Sequence, residues 1–236
     1  MTAHNPESLE ARPLVAVIGV GYVGTQLVSN FSRNWDVLGF DLSKFTSHEH
    51  LANATHYLIS IPPLLLADKT IDVSYLKDAL ETTFKCAGPG ATVIIESSVA
   101  VDLEGELIEP PATARGCFAR TFLERVNPGR TEPLPHPPGA RLIPMVISGL
   151  DDVCPGSLAA IARSYFEELV PLSSPEVAES TKLYENCQRM INIAYANEME
   201  DACRSLGVDP YEVYSAAASK PFGYMVYKAG IGVGGH

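Results

Sequence analysis

Apolar residues in this chain occur as short unbroken runs, set between stretches in which they recur every three or four positions. Residues 14–18 read Leu-Val-Ala-Val-Ile, the pattern of a strand covered on both faces in a parallel sheet. A helical stretch follows over 22–33, and a second run at 37–41 closes on Asp41. Further strands are predicted at 57–61, 92–96, 117–123 and 145–148, with helical spacing between them over 73–86 and 157–169. Strands alternating with helices predict an α/β architecture, a doubly wound parallel sheet.

The pattern changes after Pro171. Ser174-Pro175-Glu176 supplies an N-cap, a proline at the first helical position and an acid in the first turn, and Gly207 supplies the stop. The helix between them would run about 30 residues, roughly 45 Å at 1.5 Å per residue. That length predicts a link to a second element or packing against a partner subunit. Asp209-Pro210-Tyr211-Glu212 predicts another helix opened by a capping box. The stretch 127–144, with Pro128, Pro133, Pro135, Pro137 and Pro138, predicts an exposed loop. The expected organisation is a tail over 1–12, a sheet domain over 13–172, and a helical, dimer-building domain over 173–236.

Composition narrows the partners. Hydrophobic residues at 46% against 19% charged leave enough apolar material for a core, and 236 residues suit one large domain or one and a half small ones. A net charge of −11 argues against nucleic acid and anionic membrane, both of which reward clustered Lys and Arg. No apolar segment reaches the length of a membrane span, and residues 1–12 lack the apolar core of a signal peptide. Five dispersed cysteines, without CxxC or metal-ligand spacing, read as reduced thiols in a cytoplasmic protein, and no metal is expected.

Gly19-Val20-Gly21-Tyr22-Val23-Gly24 places a GxGxxG between the first strand and the first helix. In that context Gly19 permits the tight turn, Gly21 lets backbone approach a pyrophosphate, and Gly24 allows close helix–strand packing. The helix start at Tyr22 and Val23 offers amide groups and a partial positive charge to phosphates. Asp41, at the end of the second strand, suits two ribose hydroxyls and would repel a 2′-phosphate, favouring NAD over NADP. The sheet is then Rossmann-like, and ligands belong at the carboxyl ends of its strands. Pro62, Ser98 and Glu124 lie just past later strands on that edge. A hydroxyl at Ser98 and a carboxylate at Glu124 would converge near the nicotinamide end. On the long helix, Lys182, Asn186 and Arg189 share a face, with Glu185 and Asn192 one step round. Such a stripe is either a solvated surface or a set of donors to a substrate oxygen. In the second case a desolvated Lys182 stabilises an alkoxide or acts as a base.

Several blocks occur in a telling order: residues 15–24, Gly39-Phe40-Asp41, Glu96-Ser97-Ser98-Val99, Glu124-Arg125-Val126-Asn127-Pro128-Gly129, residues 178–189, residues 192–198, and Lys220-Pro221-Phe222-Gly223. From about Pro13 to His236 the chain resembles the UDP-glucose/GDP-mannose dehydrogenase family, nearest its UDP-N-acetylmannosamine 6-dehydrogenase branch. The resemblance implies an NAD domain, a homodimer built on the long helix, and two-step oxidation of a sugar alcohol to a carboxylate. It puts Ser98 where the family has a water-positioning Thr, and Glu124 at the acid of a Pro-Glu-Arg-like motif. Lys182 and Asn186 fall on the pair that stabilises the intermediate's oxyanion.

The family motif continues from Gly-Gly-His into the thiolate Cys, an Asp and a UDP-binding domain, whereas this sequence ends at Gly234-Gly235-His236. The expectation is therefore a truncated relative without the Cys-dependent aldehyde-to-acid step. Internal departures accompany it: a short connection after Asp41, Ile61-Pro62-Pro63-Leu64 for Val-Pro-Thr-Pro, no Pro-Gly-Thr-Thr after Val99, and Leu123 before Glu124. These argue against ordinary UDP-sugar binding. Three readings stand: a repurposed NAD(H)-binding enzyme acting on another small molecule, an inactive fragment or NAD-binding dimerisation module, and a cofactor-free acid/base or cyclisation enzyme using the same pocket.

Overall fold

The computed structural model describes residues 13–41, 48–97, 99–123, 125, 143–148 and 156–232. In chain order its elements are β1 (Leu14–Ile18), α1 (Tyr22–Phe31), β2 (Asp36–Phe40), α2 (His48–Leu51), β3 (His56–Ile59), β4 (Leu64–Leu65), β5 (Ile71–Asp72), α3 (Ser74–Cys86) and β6 (Thr92–Ile95). They continue as α4 (Leu103–Leu107), α5 (Glu109–Arg115), β7 (Phe118–Leu123), β8 (Met145–Ser148), α6 (Gly156–Tyr165), β9 (Leu169–Leu172), α7 (Pro175–Ser205) and α8 (Pro210–Ala218).

The unbroken apolar runs become strands because both of their faces are covered. Successive side chains point to opposite faces of a sheet. Ala16, Ile18, Tyr57, Ile59, Val93 and Ile95 accordingly enter one core with Leu76, Leu80 and Phe84 of α3. Their neighbours Val15, Val17, Leu58 and Ile94 enter the opposite core with Leu27 and Phe31 of α1 and Ile161 and Tyr165 of α6. The Trp35 ring N–H donates to Ser164 Oγ at 2.7 Å, tying the end of α1 to α6. The result is a three-layer α/β sandwich.

The seven-stranded sheet runs β2-β1-β3-β6-β7-β8-β9. Its pairs are parallel except β7–β8, which is antiparallel through Phe122 opposite Ile147 and Leu123 opposite Val146. The parallel-dominated sheet agrees with the doubly wound α/β expectation, and β7–β8 is its one antiparallel pair. An antiparallel neighbour, unlike a parallel one, needs no helical crossover, and the sequence between β7 and β8 is rich in proline. Most of that stretch lies outside the described residues. Further elements went unforeseen: the β4–β5 hairpin, α4, α5 and β9, all short or polar enough to leave little periodicity.

The long helix spans 31 residues, and its N-terminal half packs on β7, β8 and β9, with Ala178 against Val146. Ser174 stands at its N-cap but makes no side-chain cap hydrogen bond. Asp209 does cap α8, accepting from the Tyr211 amide at 2.9 Å, and not from Glu212 as the capping box would have it. Among the described residues no helix is long and apolar enough to cross a membrane.

Candidate active site

The carboxyl ends of β1, β2, β3, β6 and β7 share one edge, and the predicted site residues gather along it. At β1 the three glycines have three distinct steric reasons. Gly19 adopts φ +91, and a Cβ there would sit 2.7 Å from the Ser60 carbonyl oxygen. At Gly24, in the first turn of α1, a Cβ would lie 2.0 Å from the Gly19 carbonyl oxygen, so helix and turn touch backbone to backbone. Gly21, the N-cap, has nothing within 4 Å of where a Cβ would stand. The open space lies where the helix presents its first amides, groups that have no intrahelical partner.

Asp41 follows β2 directly, and its Oδ2 accepts from the Val20 amide at 3.2 Å. This bond fixes the carboxylate at the rim of a cleft of about 360 Å³. Ile61, Pro62 and Leu64 beyond β3 and Tyr75 and Ala79 of α3 form its other walls. Tyr22 is about half exposed at the start of α1. Val23 is partly buried and packs against the α1–α6 core. Tyr75 and Ala79 were not foreseen. An amphipathic helix shows which face is buried, but not that the face ends at a cleft.

Two to three strand spacings away from β1, roughly 10–14 Å at about 4.8 Å per strand, a second group forms at β6, β7 and α7. Glu96, Ser97, Thr121, Phe122, Glu179 and Lys182 surround a small cavity there. Lys182 is half-buried against the sheet edge rather than on a solvated stripe. Asn186 lies one turn further along α7, also partly covered. Glu185 pairs with Arg125 at 2.8 Å, and Arg125 also donates to the Pro144 carbonyl at 2.9 Å. The guanidinium thus ties the chain just past β7 to α7 and to the approach to β8. Ser98 and Glu124 themselves lie outside the described residues; their neighbours Ser97, Val99 and Arg125 are on this edge.

Sequence reasoning missed the acidic cluster beneath Lys182. Glu96, Glu104 and Glu179 are all buried, at 3%, 1% and 2% exposure. Burial first, and then the charge of Glu179, push the Glu104 carboxyl up to about 8. Glu179 is also raised by burial, opposed by the amide hydrogen bonds it accepts. Glu179 precedes Lys182 by three residues and so shares its helix face, a signal the sequence did hold. Nothing in the sequence marked Glu104.

Past α8 the chain turns back along α7. Asn197 holds Gly230 by a reciprocal pair, accepting from its amide at 2.7 Å and donating to its carbonyl at 3.0 Å. Gly232, at φ +92, lies against Met190, whose Sδ would be 3.2 Å from a Cβ. The segment therefore travels from Asn197 toward the helical turns that carry Asn186 and Lys182. Residues 233–236, the rest of the glycine-rich stretch, lie outside the described residues.

Residues 176–236 match the UDP-glucose/GDP-mannose dehydrogenase family, central domain. The UDP-N-acetyl-D-glucosamine 6-dehydrogenase of Pseudomonas aeruginosa is 28% identical over an alignment of 275 positions, covering 94% of this chain and 60% of that protein. The UDP-N-acetyl-D-mannosamine dehydrogenase of Pyrococcus horikoshii is likewise 28% identical, over 94% of this chain and 61% of its own. Its solved structure superposes with a TM-score of 0.80 at 25% identity. The chain thus spans about three-fifths of the length of these relatives. An alignment of 275 positions over 94% of 236 residues also leaves about fifty positions of the Pseudomonas protein without a counterpart inside this chain. The helical segment thus matches the central domain of the UDP-glucose/GDP-mannose dehydrogenase family, and the chain shares its fold with a solved UDP-N-acetyl-D-mannosamine dehydrogenase.

Proposed function

We propose that the chain binds NAD(H) along the carboxyl edge of its sheet and supports hydride transfer at an alcohol or carbonyl carbon of a small molecule held between β6, β7 and α7. The observation that carries this reading is the cleft at the glycine turn. It combines an unobstructed N-cap at Gly21, a backbone contact that only Gly24 allows, and a carboxylate fixed at the rim. Those residues fit a dinucleotide. The first amides of α1 would take its pyrophosphate, Asp41 its ribose hydroxyls, and Ile61, Pro62 and Tyr75 its apolar base. Bound there, the nicotinamide supplies the two-electron acceptor or donor.

The chain's own contribution is electrostatic. Lys182, half-buried at the ends of β6 and β7, stabilises negative charge developing on a substrate oxygen, and Asn186 offers an amide donor one turn away. By sequence position Ser98 and Glu124 add a hydroxyl and a carboxylate to this edge, suited to ordering water or accepting a proton. In this reading residues 13–172 carry the cofactor and residues 173–236 complete the substrate side. The relatives act, by name, on UDP-N-acetylhexosamines. The internal shortening of this chain and its departures after Val99 favour a smaller substrate than a whole nucleotide sugar. Exposed Tyr184 (73%), Ile191 (68%) and Tyr195 (62%) form an apolar stripe on α7 at spacings of seven and four, which suits a second copy of this helix.

Calorimetric titration tests the cofactor half. NADH is expected to bind at least tenfold more tightly than NADPH, and Asp41→Ala to erase that preference. Absence of heat with both cofactors would overturn the reading. Lys182→Ala should then leave NADH affinity unchanged and abolish turnover.

A further inference from the structure

Glu179 reaches out of α7 to another helix. Its carboxylate accepts from the backbone amides of Asp102 at 2.7 Å and Glu104 at 3.1 Å. Asp102, the N-cap of α4, adopts φ +72 and offers no side-chain cap of its own. A left-handed residue beside a helical turn aims backbone amides into one concavity, a nest for an anion. Here the anion comes from α7, so one element caps another. Glu104 turns its own carboxyl into the interior, where the Thr121 hydroxyl of β7 donates to Oε2. Oε1, buried, has no hydrogen-bond partner. The charged groups facing this carboxyl are Glu179 and Glu176 from α7, Glu109 from α5 and Arg120 from β7, so negative charge prevails.

We propose that Glu104 and Glu179 are positioning residues for Lys182, forming a proton-dependent clamp that fastens the first turns of α7 to the N-terminus of α4. The clamp is closed while Glu104 is neutral and released when it ionises beside Glu179. A neutral Glu104 leaves the Glu179 carboxylate as the single anion in the nest. A second buried carboxylate would repel it, with Arg120 the single positive charge among the facing groups named above. Separating α4 from α7 lets water reach both groups. Lys182 follows Glu179 by one turn, so release moves its ammonium away from the ends of β6 and β7. The inference rests on the proposed function only for what Lys182 does to substrate; the clamp is independent of it.

Hydrogen–deuterium exchange of the full chain between pH 6.5 and 9, expressed as protection factors, tests the clamp. Acylation of Lys182 by an amine-reactive ester, with Lys77 of α3 as internal reference, follows the side chain in the same samples. Amides 102–107 are expected to lose at least tenfold in protection between pH 7 and 9, with a parallel rise in Lys182 reactivity. Glu104→Gln, neutral at every pH, should keep both constant. Glu179→Gln, which has one acceptor oxygen in place of two, should lower the protection already at pH 7. Wild-type protection that stays flat to pH 9 overturns the proposal, as does a Glu104→Gln protein that loses it like the wild type. A protein that fails to bind NADH yet shows the expected pH response would refute the cofactor reading and uphold the clamp.

Discussion

Gly21 and Gly24 are three residues apart on one turn, yet an alanine at each should fail for opposite reasons. At Gly24 the new Cβ would stand 2.0 Å from the Gly19 carbonyl oxygen and 3.0 Å from its carbon. A carbon–oxygen contact relaxes only beyond roughly 3.2 Å, so α1 must retreat from β1 by about 1.2 Å, against an interior that is close-packed. Both partners are backbone, so no rotamer change relieves the contact. The cost should reach about 3 kcal/mol, well above the ~1 kcal/mol that alanine returns through helix propensity. At about 2–4 °C per kcal/mol for a chain of this size, Gly24→Ala should melt some 4–12 °C below the wild type. At Gly21 a Cβ meets nothing within 4 Å. Gly21→Ala should stay within about 1 kcal/mol of wild-type stability, since N-cap preference and unfolded-state entropy oppose each other. Its NADH affinity should nevertheless fall ~10- to 100-fold, a loss of about 1.4–3 kcal/mol, because the methyl occupies the approach of the pyrophosphate. Melting curves and NADH titration on the two variants separate the roles. A Gly21→Ala protein with wild-type NADH affinity would refute the placement of the cofactor, and a Gly24→Ala protein with wild-type melting would refute the contact.

Other outcomes follow from buried and exposed groups. With its folded-state pKa raised from 4.5 to about 8, Glu104 contributes stability fully present below pH 4.5 and lost as pH rises toward 8. Glu104→Gln should therefore gain on the wild type by about 1.4 kcal/mol per pH unit between pH 5 and 8; parallel urea-denaturation series for the two proteins across that range would contradict the burial of a neutral acid. The Tyr57 hydroxyl donates to the Leu51 carbonyl at 2.6 Å in the core. Tyr57→Phe should cost about 1–2 kcal/mol in chemical denaturation, and an unchanged midpoint would show that the bond contributes nothing. Ile191→Glu in the exposed stripe of α7 should shift the sedimentation profile from dimer to monomer while leaving the melting of dilute protein unchanged. Identical sedimentation of variant and wild type would place any dimer contact elsewhere.

The sheet was legible because its strands are covered on both faces. Two-sided burial demands an unbroken apolar run, and β1, β3, β6 and β8 carry such runs in the sequence. The glycine turn was legible because close backbone contacts at Gly19 and Gly24 leave only one residue type, and Gly21 between them keeps the approach to the first amides open. The 31-residue helix was framed by Pro175 and Gly207, whose effects on φ act locally. None of this required knowing which segments meet. The direction of β8, by contrast, depends on how the chain returns after β7. The short α4 and α5 have too few turns for a periodic stripe.

Residue types and local spacing, then, determined by themselves the glycine turn, the buried strands and the long helix, because backbone sterics and two-faced burial act within a few residues. The tertiary structure alone decided the state of Lys182 and of the acids beneath it. Glu104, Glu179 and Thr121 are separated by as many as 75 positions in sequence. A carboxyl becomes neutral, and a lysine becomes a positioned charge, only when distant segments remove water from around them, and no stretch of sequence specifies its own solvent.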